Sequence, residues 1–306
     1  MPSSPSSAER ATGLIVSAHG RHVVVEDPAG VRLLCHVRGK RNDAVVGDRV
    51  RWQRSGDEGV VEGVLPRANL LYRRDEWRTK AFAANIDQLL VVIAAEPTFS
   101  ESQLARALIA AADAGITARV VLNKRDLPTF AAARERLQPY ASLGTAIVEL
   151  ALKAERDDAR TRLAPLLADR ATLVLGPSGA GKSTLVNLMA PAARAETGEI
   201  SRALKTGRHT TTTTAWHWID EARTSALIDS PGFQEFGLRH VDPDRLAALM
   251  PDIAAHATAC RFYNCTHLHE PGCGVLAALE RGEIAPSRHR IYAEILDELR
   301  ARPGAP

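Results

Sequence analysis

Residues 171–190, ATLVLGPSGAGKSTLVNLMA, constrain this chain more tightly than any other stretch. ATLVL has the length and branching of a buried strand, and KSTLVNLMA reads as a helix. Between them stands Gly176-Pro177-Ser178-Gly179-Ala180-Gly181-Lys182-Ser183, with Thr184 in the turn that follows. The glycines let the backbone wrap closely enough for successive N–H groups to face phosphate oxygens, and the helix start adds its positive end. Lys182 would reach the β- and γ-phosphates of a nucleoside triphosphate, and Ser183 would ligate Mg2+. An ordinary Gly-rich turn is the competing reading, disfavoured because strand, loop, Lys-Ser and helix occur in order.

The alternation extends upstream. QLLVVIAA, ARVVLNK and TAIVEL read as buried strands, with the helix-like ESQLARALIAAADAG between the first two. Alternating β and α units predict a mostly parallel sheet covered on both faces, with ligand at the carboxyl ends of its strands. At one such end stands Asn123-Lys124-Arg125-Asp126. A carboxylate there accepts from the two donor nitrogens on the guanine edge, a pair adenine lacks, while Asn123 and Lys124 would hold base and loop. A charged helix N-terminus is the plainer alternative; on the sheet of a P-loop the tetrapeptide points to guanine nucleotide, GTP or GDP. Downstream, the strand SALID runs into Asp229-Ser230-Pro231-Gly232, where Asp229 would hold Mg2+ through water and the Gly232 N–H would reach a γ-phosphate. Between the two lies GRHTTTTT, residues 207–214. One of its threonines, with Thr210 and Thr211 as candidates, would complete Mg2+ coordination; the later ones fit an edge strand equally well.

The first part of the chain is different. LIVSAHG, HVVVED, RLLCHV, DRVRWQR and GVVEGVL form short strands punctuated by Gly, Asp and Asn, with no helical period. They predict a small closed barrel, either OB-type, which binds oligonucleotides, or SH3-like. Between 32 and 54, Arg32, Arg38, Lys40, Arg41, Arg49, Arg51 and Arg54 stand against only Asp43 and Asp48, although the whole chain has a net charge of just +3. That local excess fits a phosphate backbone, and equally an ordinary solvated surface. Arg38-Gly39-Lys40-Arg41 falls where a loop contacting RNA phosphate, or a merely solubilising one, is expected. With 45% hydrophobic and 25% charged residues, disorder throughout is excluded. MPSSPSSAERATG carries no signal-peptide pattern, and the apolar run 89–95 is far too short to span a bilayer, so a soluble cytoplasmic protein is expected.

Near the end, Cys260, Cys265 and Cys273 with a histidine among them offer three thiolates and an imidazole, a tetrahedral set for structural Zn2+ with no position left for water. Disulfides are the rival reading; three clustered cysteines plus a distant Cys35 pair poorly, and Cys35 reads as a small core residue. GVLAALERGEI and SRHRIYAEILDEL would supply helices around the metal, which staples a terminal domain too small to stand alone.

The base-side motif precedes the P-loop and DSPG follows it, the order of circularly permuted GTPases. With the barrel before and the cysteine cluster after, and with AANIDQLLVVIAA, GRHTTTTT and DSPGFQEFGL, the chain resembles the ribosome small-subunit-dependent GTPase A family over essentially residues 13–300. The resemblance implies a multidomain α/β protein: a leader (1–12), an OB-type barrel (13–66), a linker (67–80), a circularly permuted GTPase domain (81–248) and a zinc-binding helical domain (249–306). It selects His267 over His269 and Glu270 as the fourth ligand. It implies a monomeric partner of the 30S ribosomal subunit and its 16S rRNA, without a membrane role, acting in late subunit maturation. The guanine-contacting loop expected after TAIVEL reads ALKAE, which lacks the family's Ser-Ala signature.

Hydrolysis would proceed by in-line attack of water on the γ-phosphoryl group, with Lys182 and Mg2+ absorbing charge. Phe233, just after DSPG, cannot orient water, so unaided turnover should be on the order of 10⁻³ s⁻¹. His209 is a candidate for ordering the water, Gln234 a lesser one, and a plain exposed loop residue is the competing reading of His209. A further expectation is that the DSPG segment passes nucleotide state to the zinc domain. A ribosome-binding structural factor with incidental turnover is the alternative function; an ATP-using enzyme is disfavoured by Asp126.

Overall fold

The computed structural model describes residues 11–20, 22–39, 43–75, 79–193, 214–231 and 236–301. His209, Thr210, Thr211, Gly232, Phe233 and Gln234 lie outside the described residues.

Five strands open the chain: β1 (Ala11–His19), β2 (His22–Glu26), β3 (Arg32–Val37), β4 (Arg49–Ser55) and β5 (Glu58–Val64). They close in the order β1-β2-β3-β5-β4-β1, with β3 and β5 parallel and the other pairs antiparallel. That closure is OB-like and settles the choice between the two barrels. Ile15, Val23, Val25, Cys35, Val50, Trp52 and Val61 fill its interior, so Cys35 is the core residue expected.

Residues 67–80, expected as a linker, carry regular structure. They contain β6 (Leu70–Arg74) and the start of β7 (Thr79–Ala84), an antiparallel hairpin. Its apolar positions, Leu71, Phe82 and Ala83, are buried, whereas Arg73, Arg74 and Lys80 stay at least partly in solvent. Long cationic side chains spaced between buried positions made the strands read as a linker.

The central sheet runs β10 (Ile147–Glu149), β9 (Thr117–Asn123), β8 (Gln88–Ala94), β11 (Ala171–Leu175), β13 (Ala226–Asp229), all parallel, then β12 (Ala215–Trp218) antiparallel on β13. All of β8 is buried, as expected of a parallel strand with both faces covered. One face carries α1 (Glu101–Asp113), whose first turn is capped by the Ser100 hydroxyl accepting from the Gln103 N–H at 3.3 Å. The short helices α2 (Phe130–Arg136) and α3 (Gln138–Ser142) follow β9, and α4 (Arg156–Leu167) and α5 (Lys182–Met189) flank β11 in sequence.

Sheet and barrel are continuous. Ser17 of β1 registers against Ala215 of β12, making one eleven-stranded sheet. Beside the junction the buried Glu26 carboxylate accepts from the Trp218 indole N–H at 2.7 Å and from Arg32 at 2.7 Å.

The C-terminal helices are α6 (Pro251–Ala257), α7 (Gly274–Glu280) and α8 (Pro286–Arg300). Ile291, Ile295, Leu296 and Leu299 of α8 join the core that contains α1. Arg288 makes a buried two-point ion pair with Asp252 of α6, at 2.7 and 2.9 Å, and its guanidinium lies 4.7 Å from the Tyr140 ring centre of α3.

Candidate functional site

The loop 176–181 leaves β11 and enters α5 under tight steric rules. Gly176 has φ +153°, and a Cβ there would stand 2.0 Å from the Val92 carbonyl oxygen of β8. Gly181, φ +113°, would place a Cβ 2.3 Å from Asn123 Nδ2. The second conflict shows what the glycine is for. Asn123 occupies that space, donating to the Ala180 carbonyl at 2.9 Å and accepting from the Leu152 N–H at 3.0 Å.

Asn123 therefore ties the P-loop to ALKAE, residues 151–155, the position expected for the guanine-contacting loop. Lys124 sits at φ +66° and donates to the Glu96 carbonyl; Arg125 turns to Glu155 and Asp158 of the α4 start, the latter at 2.9 Å. Asp126 is exposed at the rim, with its carboxylate accessible for a base. Ala151 and Leu152 are buried and Lys153 is exposed. The predicted base-side residues thus share one edge of the sheet with the P-loop, although Arg125 faces carboxylates of its own chain.

On the phosphate side, Ser178, Gly179 and Ser183 are exposed, while Pro177, Thr184 and Asp229 are partly buried and Ala180 is buried. Lys182 is buried and donates to the Pro177 carbonyl at 3.0 Å. Ser230 donates to the Val174 carbonyl at 3.0 Å, fastening the turn after β13 beside the loop. Burial pulls the Lys182 ammonium below its ordinary pKa, with Asp229 opposing. Burial also raises the Asp229 carboxyl, opposed by His217 and Lys182. Each charged form is penalised for lost hydration, and a phosphate with a divalent cation would supply the missing counter-charge. His217, buried on β12, was not singled out in the sequence; its aromatic neighbours make it look like one more core position.

The segment following DSPG is seated on the hairpin. Arg74 N–H donates to the Gly237 carbonyl at 3.0 Å and Arg239 N–H to the Arg74 carbonyl at 2.9 Å, and Phe236 stacks on Phe82 with ring centres 5.6 Å apart.

The second constellation is Cys260, Cys265, His267 and Cys273, whose ligand atoms all lie within 4.8 Å of one another. His267 Nδ1 is 3.4 Å from Cys260 Sγ and 3.5 Å from Cys273 Sγ, and those two sulfurs are 3.8 Å apart. A tetrahedral site with Zn–S and Zn–N bonds of about 2.3 and 2.0 Å has edges of about 3.5–3.8 Å. The donor set and spacing therefore fit Zn2+. Backbone N–H groups of Gly274 and Leu276 donate to Cys260 Sγ (3.3 Å) and Cys273 Sγ (3.5 Å), outer contacts that would orient the sulfurs toward a metal. His289 contacts the His267 carbonyl at 2.7 Å, and Tyr292 donates to the Thr266 carbonyl at 3.1 Å. Glu270 binds the loop itself, accepting from the N–H groups of Thr266 (2.8 Å), Leu268 (3.2 Å) and His269 (3.3 Å) and from the Thr266 hydroxyl. Burial opposes its ionisation, yet those donors hold the carboxyl well below its usual range.

Comparison with known proteins agrees with this geometry. The RsgA GTPase family model matches residues 64–239. The small ribosomal subunit biogenesis GTPase RsgA of Variovorax paradoxus (strain S110) is 60% identical over 292 residues, 94% of this chain and 92% of that protein. Its namesake in Burkholderia pseudomallei (strain 1710b) is 52% identical over 302 residues, 97% and 96%. The crystal structure of YjeQ from Thermotoga maritima superposes with TM-score 0.73 at 30% identity, covering 96% of this chain and all of that one. YloQ, described as a circularly permuted GTPase, gives 0.70 at 25% identity with full coverage of both chains.

Proposed function

This chain belongs to the RsgA GTPase family, a GTP hydrolase of small-ribosomal-subunit biogenesis using guanine nucleotide and Mg2+, and we propose that 30S binding triggers its hydrolysis and that hydrolysis releases it. The observation that carries the reading is Asn123, which joins the base-side motif to the P-loop although the chain visits them in the permuted order.

In this reading Asp126 selects guanine, Lys124 and Asn123 shape the pocket, and residues 176–184 hold the phosphates. Lys182 leaves the Pro177 carbonyl for the β- and γ-phosphate oxygens, where its charge counts most as negative charge develops in the transition state. Ser183, Asp229 through water and one of Thr210 and Thr211 would hold Mg2+, which would neutralise phosphate charge. Gly232 offers its N–H to the γ-phosphate, and His209 orders the attacking water once the subunit has positioned its loop. Cys260, Cys265, His267 and Cys273 hold one structural Zn2+. The barrel and the terminal domain contact 16S rRNA, and the chain acts as a cytoplasmic monomer.

Among the described residues no helix is long and apolar enough to cross a membrane. The deciding experiment is steady-state GTP hydrolysis by the protein alone and with 30S, 50S or 70S particles at matched salt, since backbone contacts are salt-sensitive. Stimulation by 30S alone is expected. Tight 30S binding without stimulation would favour a structural assembly factor instead.

A further inference from the structure

Among the described residues, Val31, Phe262 and Tyr263 are the large hydrophobic side chains left in solvent, and the last two are neighbours. Phe262 is 41% exposed and Tyr263 is 103% exposed, a ring standing wholly clear of the fold. They lie in the run Arg261-Phe262-Tyr263-Asn264, all four exposed, between the first two cysteines of the cluster. The loop is fastened along its length. Arg261 N–H donates to the Gly272 carbonyl at 3.0 Å and Cys265 N–H to the Phe262 carbonyl at 3.3 Å. The Arg261 guanidinium stands 5.4 Å from the Phe262 ring centre.

A fully exposed ring adds nothing to the stability of the fold, because its area stays in water. On a fastened loop it loses little conformational freedom on binding, which favours a partner that covers it. The chemistry of the run selects the partner. Two ring faces, one guanidinium and one carboxamide, with no carboxylate among them, match an unpaired nucleotide: bases stack on the rings, the guanidinium meets phosphate or a base plane, and the amide reads a base edge. Glu270, the nearest acid in the sequence, is turned into the loop on its own donors. A protein-binding core would present a broader apolar area than two rings bracketed by polar groups.

We propose that Phe262 and Tyr263, flanked by Arg261 and Asn264, form a stacking platform for unpaired bases of single-stranded RNA. The inference rests on the reading that the chain works on the small subunit, whose RNA would supply those bases.

The test uses the full-length, zinc-loaded protein at fixed salt with three probes: a fluorescein-labelled single-stranded oligoribonucleotide of mixed sequence, a fully paired RNA hairpin, and isolated small subunits. Tyr263→Ala should weaken binding to the single strand by about 5- to 150-fold, the worth of one stacked base. Tyr263→Phe, which keeps the ring, should bind like the parent. Hairpin binding, zinc content and GTP hydrolysis in the absence of subunits should not move. Unchanged single-strand binding by Tyr263→Ala overturns the platform, as does an equal loss in Tyr263→Phe. A loss seen with subunits but not with the oligoribonucleotide would assign the loop to a ribosomal protein and overturn it too. If the parent protein fails to bind small subunits at all, the functional reading falls, while the oligoribonucleotide comparison still decides the platform.

Discussion

The nucleotide site and the cysteine cluster hold their ligands by opposite means. The first is a backbone loop of residues 176–181, set by a buried parallel sheet and by Gly176 and Gly181, which have no room for a Cβ. The second is four side chains drawn from residues 260–273, on a loop with little regular structure between α6 and α7. A backbone cradle exists once the sheet has folded, so ligand binding adds to a finished domain. A side-chain cluster joins four groups that bind a metal only together, so metal binding would add directly to the folding of its loop, beside the hydrogen bonds that Glu270 makes to it. On the proposed reading the nucleotide would therefore turn over while the metal stays.

The largest test of that contrast is metal removal. Chelation or Cys260→Ser should abolish hydrogen-exchange protection through the cysteine loop and α7, with metal-linked free energy of about 10 kcal/mol at stake. Guanine-nucleotide binding should survive, as followed by fluorescent-nucleotide titration. Identical protection with and without chelator would show that the terminal region stands on its own packing, and the contrast would fail.

Next in size is Arg288→Met, which leaves Asp252 buried without its partner. Urea unfolding should register a loss of about 3–5 kcal/mol, largely restored when Asp252→Leu is added. A small loss in the single variant would mean that water reaches the pair and that the two regions are less tightly joined than Tyr140 and Arg288 suggest.

Lys182→Ala should sharpen the distinction from the other side. Turnover should fall about 10²- to 10³-fold, as for other single charge-stabilising donors. Thermal stability should hold or rise, because the native state no longer buries a cation disfavoured by lost hydration. A fall in both would make the lysine structural.

The smallest effect is on pH. Burial raises the Asp229 carboxyl, so it takes up a proton at higher pH than an ordinary aspartate. A protonated carboxyl cannot hold Mg2+, so Mg-dependent nucleotide affinity should weaken on acidification from pH 7.5 to 5. The same group acts on stability with the other sign: its folded-state pKa is raised, so its contribution is greatest at low pH and is lost as pH rises through that pKa. A titration in which affinity and ligand-free stability move together would reject the assignment.

What the sequence revealed followed the same division. The P-loop, Asn123-Lys124-Arg125-Asp126 and the barrel strands were legible because they depend on local conformation, namely glycine freedom, strand alternation and strand ends. The cysteine spacing was legible because thiolates carry their chemistry in their identity. Contacts distant in sequence left no signal. The β6–β7 hairpin was hidden by Arg73, Arg74 and Lys80, and its role as the seat for residues 236–239 depends on a pairing between Arg74 and Leu238. Arg288 looked like one more solvated charge in SRHR until Asp252 and Tyr140 closed around it. Nothing in the tetrapeptide indicated that Arg125 would meet Glu155 and Asp158.

The junction of β1 with β12 bears on any attempt to divide the molecule. A truncation that discards the barrel would strip β12 of its neighbour and leave it as a raw sheet edge. Trp218 would lose its Glu26 acceptor at the same cut. Unprotected edges recruit other strands, so the shortened GTPase should be prone to self-association. Solubility of the nucleotide-binding unit is in this sense a service performed by the barrel.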